Sequence, residues 1–277
     1  MRNNSFTISK EEFARLTEYI WRKTGIFYDE NKRYYVEKRV FERMHLAGRG
    51  EFREYFHFLR SDPSESEFQA LVNLLTVNET YFFREYDQLK CFAEEVLPEI
   101  LFRARAEARK IRIWSAGCST GEEAYTLAII LQEMLDSESC EFEVHATDIN
   151  TEALQKAGMG VYEERAVREM PLPYLEKYLV WRGGSYHVFP GPKKKVRFYQ
   201  LNLRDRARMR EMQDFDAIFC RNVLIYFDER SRREVALLFY ESLRPGGFVF
   251  LGHSESMSRI SPIFRIRKFK NAIIYQK

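Results

Sequence analysis

The hydrophobic pattern divides this chain in two. Up to about residue 85 apolar positions recur only at helical spacing. Ser9 followed by Glu12 is a capping box that opens a helix through about Lys23. A second helix is predicted at 31–47, stopped by Gly48 and Gly50, a third at 52–59, ended by Asp62-Pro63, and a fourth at 65–75. Residues 85–108 continue as helix, with Pro98 as a candidate break. From Ile111 short apolar runs alternate with helical segments. Strands are predicted at 111–115, 142–147, 196–200, 215–220, 246–252 and 272–276, the last two as an antiparallel edge hairpin, and helices at 121–136, 151–157 and 229–243. Such alternation implies an α/β fold with a mostly parallel, doubly wound sheet covered on both faces. Residues 171–195, rich in Pro and Gly, break the alternation and predict a short helix at 173–178 followed by a small antiparallel β insert. The expected domains are an all-helical one at 1–85, a linker helix at 86–110, and the sheet domain at 111–277 with its insert at about 171–195.

Charge and composition narrow the picture by exclusion. The formal net charge of +3 over 277 residues gives no sign of a polyanion-binding surface. No stretch approaches the roughly 18 apolar residues of a membrane span, and the opening MRNNSFTISKEEF has no apolar signal core. Cys91, Cys118, Cys140 and Cys220 are scattered without metal-ligand spacing, which is the pattern of reduced thiols in a cytoplasmic protein that holds no metal.

The candidate chemistry begins at IRIWSAGCSTGEEAYTLA, residues 111–128, followed by Asp148 in EVHATDIN. A buried strand, a tight glycine turn, a helix and a second strand ending in an acid open a nucleoside-binding sheet. Ala116 and Gly117 are small enough for a ligand to approach the backbone. The turn lacks the Gly-x-Gly-x-x-Gly spacing that faces a pyrophosphate, and Glu122 and Glu123 directly after Gly121 would repel a phosphate. Those acids suit a cationic ligand with an amino group, while Asp148 can accept both hydroxyls of a ribose. A nucleoside carrying an ammonium and a sulfonium is S-adenosylmethionine.

Further candidates follow along the chain. In FDAIFCRNVLIYF, Arg221 and Asn222 sit at a strand's carboxyl end over the ligand crevice, and Tyr226 follows on the next turn. Asn202 and Leu203 in YQLNLRD could meet an adenine edge, although that signal is weak by itself. TVNETYFFRE closes the helical region with Asn78, Thr80 and Arg84 among aromatics. Arg84 is either a surface residue with a snorkelling stem or a guanidinium that holds a carboxylate in a bidentate fork, and the sequence leaves the two even. Lys32, Arg39 and Arg43 align on one stripe of the second helix, which is a solvated face unless the substrate is acidic.

Together NETYFFRE, SAGCSTGEEAYTLA, ATDIN, NLRD and CRNVLIYF resemble, in order, the chemotaxis receptor methyltransferases of the CheR family. The resemblance covers nearly the whole chain. It implies a helical domain followed by a class I methyltransferase (Rossmann-like) sheet, and an enzyme that transfers methyl groups from S-adenosylmethionine to receptor glutamates, leaving S-adenosylhomocysteine. By that similarity Asn78, Thr80 and Arg84 reach the cofactor from the N-terminal side, Glu123 meets the methionine end, and Asp148 takes the ribose. Asn202 and Leu203 flank the adenine, Arg221 and Asn222 line the crevice, and Arg84 and Tyr226 match the methyl-transfer centre. The implied partner is the acidic helical region of methyl-accepting receptors, docked on Lys32, Arg39 and Arg43. Family members that tether to a receptor's C-terminal pentapeptide have a longer loop in the insert. Here WRGGSYHV turns on Gly183-Gly184-Ser185, so the expectation is a receptor tail that is not needed. A base N-methyltransferase would carry Asn/Asp-Pro-Pro-Tyr/Phe where this chain has Asn-Val-Leu-Ile-Tyr, and would need a basic surface for a flipped base. A cofactor-binding domain without activity would lack Arg84 or Tyr226, and both are present.

Overall fold

A computed structural model of the chain describes residues 7–135, 140–270 and 272–277. It forms two compact units, one of residues up to Val77 with Tyr226–Asp228, the other of Asn78–Ile225 and Glu229–Lys277.

Among the described residues the first unit carries four α-helices, α1 (Lys10–Thr24), α2 (Arg33–Leu46), α3 (Phe52–Ser61) and α4 (Ser66–Leu75), with a 3-10 turn Glu30–Lys32 ahead of α2. The capping box at Ser9 forms as the sequence predicts, with the Ser9 hydroxyl accepting from the Glu12 amide and the Glu12 carboxylate accepting from the Ser9 amide. Gly25 ends α1 in the left-handed conformation that an L side chain avoids. One face of each helix points inward: Phe13, Leu16 and Ile20 from α1, Val36, Val40 and Met44 from α2, Tyr55 and Leu59 from α3, and Leu71, Val72 and Leu75 from α4 are all buried. Tyr226–Asp228 join this unit through backbone pairing, with the Phe27 amide donating to the Tyr226 carbonyl and Ile26 bridging Phe227.

The second unit is built on ten strands: β1 (Ile111–Ala116), β2 (Phe142–Asp148), β3 (Val161–Tyr162), β4 (Leu179–Arg182), β5 (Ser185–Val188), β6 (Val196–Gln200), β7 (Phe215–Cys220), β8 (Leu243–Leu251), β9 (Arg265–Lys268) and β10 (Ile273–Gln276). Seven of them form one sheet in the order β6-β2-β1-β7-β8-β10-β9. β6 through β8 run parallel, and β10 pairs antiparallel to β8. The central strands β1, β2 and β7 are buried almost throughout, as a sheet covered on both faces requires. On one face Trp114 packs on Phe215 and Phe239, and on the other Phe92 sets its edge against the stacked Phe219 and Phe250.

Three details differ from the sequence reading. The edge strand β9 was not expected, because RIRK is mostly exposed and lacks a continuous apolar run. The small sheet has the order β3-β5-β4, so it recruits a strand from ahead of residue 171. Residues 78–85 pack with the sheet unit: Phe82 and Phe83 are buried in its core, and their amides donate to the Ala166 carbonyl and the Thr126 hydroxyl. The linker is a helix Tyr86–Cys91, a π turn Phe92–Val96 and a helix Leu97–Ala106 that carries Pro98 in its first turn, where a missing N–H costs nothing. The helix expected at 121–136 spans Glu122–Met134, and residue 136 lies outside the described residues.

Candidate active site

The crevice lies where the parallel strands end. β1 leads through Gly117 and Gly121 into the helix Glu122–Met134, and both glycines have positive φ, 83° and 95°. The close approach to Gly117 is made by the protein itself: a Cβ there would lie 2.4 Å from a methyl of Val223, which follows β7. The Gly117 and Cys118 amides both donate to the Thr147 carbonyl, which ties this turn to β2. Ala116 and Gly117 therefore shape the crevice through backbone packing, with the space beside Gly117 taken by Val223.

Asp148 ends β2 and is buried. Its two oxygens accept from the Ser119 and Asn150 amides at 2.8 Å each. Burial pushes its carboxyl above the ordinary range, while those amides pull it down. Each oxygen keeps a lone pair for a further donor, such as a ribose hydroxyl. The Ser119 hydroxyl donates to the Asn78 side-chain oxygen at 3.3 Å, which brings Asn78 to the same turn. Asn150 caps the next helix, Thr151–Met159, by accepting from the Ala153 amide.

Glu123 is the second acid of the crevice. It accepts from the Ser115 hydroxyl at 2.6 Å and from the Arg221 Nε at 2.7 Å. Arg221 is buried, and its Nη1 donates to the Arg84 carbonyl at 2.7 Å and stands 3.6 Å from Glu85. Arg221 thus links the helix Glu122–Met134 to the segment that carries Arg84. The Arg84 guanidinium lies over Tyr81 and donates to the Glu79 carbonyl, close to its own loop. Glu122 points elsewhere: it is buried, bonded to the Thr120 hydroxyl, and raised in pKa by that burial.

Asn222 follows β7 with φ 60°, a left-handed conformation that Asn tolerates better than most residues. Its side-chain oxygen is buried and has no hydrogen-bond partner among the described residues. A buried orphan acceptor costs roughly 1–3 kcal/mol unless something donates to it, which makes Asn222 a candidate for a ligand contact. Asn202 uses its side-chain oxygen to accept from the Arg204 amide in a turn after β6, beside the buried Leu203.

Four predicted residues, Tyr226, Lys32, Arg39 and Arg43, lie in the helical unit. Tyr226 is held there by its carbonyl bond to Phe27. The Lys32, Arg39 and Arg43 stripe is not a uniform free basic face. Arg43 grips the buried Glu67 with two nitrogens at 3.0 and 2.7 Å, and Arg39 donates to the Leu74 and Tyr35 carbonyls while stacking on Tyr35. Lys32 alone of the three is exposed. Residues that sequence reasoning passed over are Ser115, Ser119 and Glu85 in the crevice, and Glu255 behind it. Only spatial pairing reveals them, since a single serine or glutamate has no distinctive spacing.

Among the described residues no group of side chains could hold a metal ion, and no helix is long and apolar enough to cross a membrane. Asp148 at the end of β2, Glu123 in the first turn of the helix after β1 and the orphan Asn222 oxygen fit a cationic nucleoside and disfavour a phosphate. Sheet and site together define a class I S-adenosylmethionine-dependent methyltransferase. The comparisons with known proteins make it specific. Residues 78–273 match the CheR methyltransferase, SAM binding domain, and residues 11–76 match the CheR methyltransferase, all-alpha domain. The chain belongs to the CheR methyltransferase family. It is 46% identical over 276 residues to chemotaxis protein methyltransferase 2 of Vibrio cholerae, covering 99% of this chain and 95% of that one. It is 35% identical over 259 residues to the chemotaxis protein methyltransferase of Borreliella burgdorferi, covering 92% of this chain and 91% of that one. It is 34% identical over 264 residues to that of Escherichia coli K12, covering 94% of this chain and 89% of that one.

Proposed function

We infer that the chain methylates glutamate side chains in the cytoplasmic, acidic helical region of chemotaxis receptors, converting S-adenosylmethionine to S-adenosylhomocysteine. The observation that supports the site reading is the gathering, past the ends of the parallel strands, of Asp148 at the end of β2 and Glu123 in the first turn of the helix after β1, with the orphan oxygen of Asn222 after β7. When bound, the cofactor supplies an electrophilic methyl group on a sulfonium. Asp148 would hold its ribose, Asn202 and Leu203 its adenine, and Glu123 its ammonium, with Asn78, Thr80, Ala116, Gly117, Arg221 and Asn222 lining the remainder.

A glutamate carboxylate is already ionised at neutral pH and needs no general base. The protein's task is placement at about 3 Å and exclusion of water. Arg84 is the residue we assign to the substrate carboxylate. Its present bond to a backbone carbonyl is an easy one to exchange for a charged acceptor, which makes a stronger hydrogen bond. Tyr226 matches the family position for aligning the other oxygen. Lys32 is the outward charge that an acidic helix would meet.

Calorimetry with S-adenosylhomocysteine tests the site. Asp148→Ala removes an ionised acceptor of two ribose hydroxyls and is expected to weaken binding by roughly 2–4 kcal/mol. Unchanged affinity in that variant would mean the ribose lies elsewhere.

A further inference from the structure

The turn that follows β7 is gripped from both sides by charge. On its amide side, one Glu255 oxygen accepts from the Asn222 and Gly252 amides at 2.8 Å each, and the other accepts from the Ile225 amide at 3.1 Å. On its carbonyl side, the Arg232 guanidinium donates to the Leu224 carbonyl at 2.8 Å and to the Ile225 carbonyl at 3.4 Å. Arg232 comes from the helix Glu229–Ser242 and Glu255 from the loop after β8, so two separate elements converge on four residues. Both side chains line one small cavity with Leu224, Ile225 and Arg259.

The arrangement compensates a backbone that would not hold itself. Asn222 has φ 60°, and a non-glycine residue there costs of order 1 kcal/mol or more. Beyond one 3-10 turn at Leu224–Tyr226 the segment takes no part in the sheet. An anion on its N–H groups and a cation on its carbonyls supply what a sheet would otherwise give, and the Glu255 carboxylate also ties the tip of β7 to that of β8. Gly252 is part of the fit, since a Cβ there would stand 2.7 Å from the Asn222 side-chain nitrogen and 2.9 Å from the Glu255 carboxylate. The carboxylate is paid little by solvent: burial raises its pKa, and the backbone donors pull the other way. A buried carboxylate whose partners are this turn and the neighbouring Gly252 amide is a costly device for a loop without a task.

We propose that Glu255 and Arg232 are positioning residues for methyl transfer. They hold the turn 222–225 so that Asn222, and Arg221 before it in the chain, are set for the cofactor. This rests on the reading of the crevice given above. Glu255→Gln keeps the side chain's size but turns an amide NH2 toward backbone donors. Arg232→Lys keeps the charge but cannot span two carbonyls.

The test measures S-adenosylhomocysteine affinity by calorimetry and kcat with receptor as substrate, well below each variant's melting temperature. Asn222→Ala is run alongside. Displacement of reacting groups by about 1 Å can cost on the order of 100-fold, so a loss of about tenfold or more in affinity or kcat is expected in both clamp variants while they remain folded. A role confined to folding would lower the melting temperature and leave both constants of the folded protein unchanged. If Glu255→Gln does not fold, Arg232→Lys decides by the same constants. Wild-type affinity and kcat in the folded clamp variants, with Asn222→Ala impaired, would overturn the clamp and leave the reading of Asn222 standing. Impaired clamp variants with a normal Asn222→Ala would support the clamp, acting through its neighbours, and remove Asn222 from the cofactor site.

Discussion

At the scale of single residues the two glutamates after Gly121 have different fates, and the difference is testable. Glu123 faces Ser115 and Arg221 in the crevice, whereas Glu122 is buried against Thr120. Burial pushes the Glu122 carboxyl above its ordinary pKa, with the Thr120 hydroxyl pulling down. A carboxyl raised in the folded state stabilises the fold fully below its unfolded pKa of about 4.3 and loses that contribution as pH rises through the folded value. Glu122→Gln cannot ionise. It is expected to melt above the wild type at neutral pH, with the gap closing as the pH falls to about 4. A constant gap at every pH would mean the Glu122 charge is not strained. With Arg84 on the substrate carboxylate as proposed, Arg84→Ala is expected to lose turnover by roughly 100-fold, the scale seen when one donor to a reacting oxygen is removed, with a smaller loss in cofactor affinity. Steady-state kinetics with receptor checks this, and a variant that loses only affinity would move Arg84 from the substrate to the cofactor. Full kcat in Tyr226→Phe would likewise show that the hydroxyl aligns nothing.

At the scale of elements, α2 is more structural than its charge pattern suggests. Arg43 reaches across 24 residues to Glu67, itself bonded to the Tyr55 hydroxyl, inside the helical unit. Arg43→Glu would set two carboxylates together in a half-buried place. It is expected to destabilise the chain by about 3 kcal/mol or more in chemical denaturation, since breaking a buried pair strands its partner. An unchanged midpoint would show the pair to be dispensable. A clean test of substrate docking therefore falls to Lys32→Glu, for which a raised KM for receptor at low salt and an unchanged cofactor affinity are expected. The same contrast explains what was legible in advance. Helices with caps and one apolar face, such as α1, and strands with continuous apolar runs, such as β7, carry their own signal in neighbouring residues. Asp148 was legible for the same reason, as an acid ending an apolar run. The edge strand β9, the recruitment of β3 into the small sheet, the Arg43 partner and the Glu255 clamp depend on residues far apart in the chain. Local pattern holds no record of such pairings. Tyr226 read as part of the sheet's own turn, yet the backbone pairing of 226–228 with residues 26 and 27 places it with the helices.

At the scale of the whole molecule, the chain couples a helical unit to a sheet that binds S-adenosylmethionine, and the small sheet β3-β5-β4 is its third part. The β4–β5 hairpin closes on Gly183 and Gly184, both with positive φ, in the two-residue turn that needs such conformations. With so short a turn, a receptor stripped of its C-terminal tail is expected to be methylated about as fast as the intact receptor. Tight binding of the free C-terminal pentapeptide would reverse that expectation. The central claim is the chemistry: a methyl group passed to a glutamate carboxylate. The chain is incubated with methyl-labelled S-adenosylmethionine and receptor-containing membranes, and the labelled receptor is treated with mild base. Carboxyl methyl esters release their label as methanol, whereas N-methyl groups keep it. Release of the label by base is expected, and a receptor whose label survives the treatment would contradict the assignment.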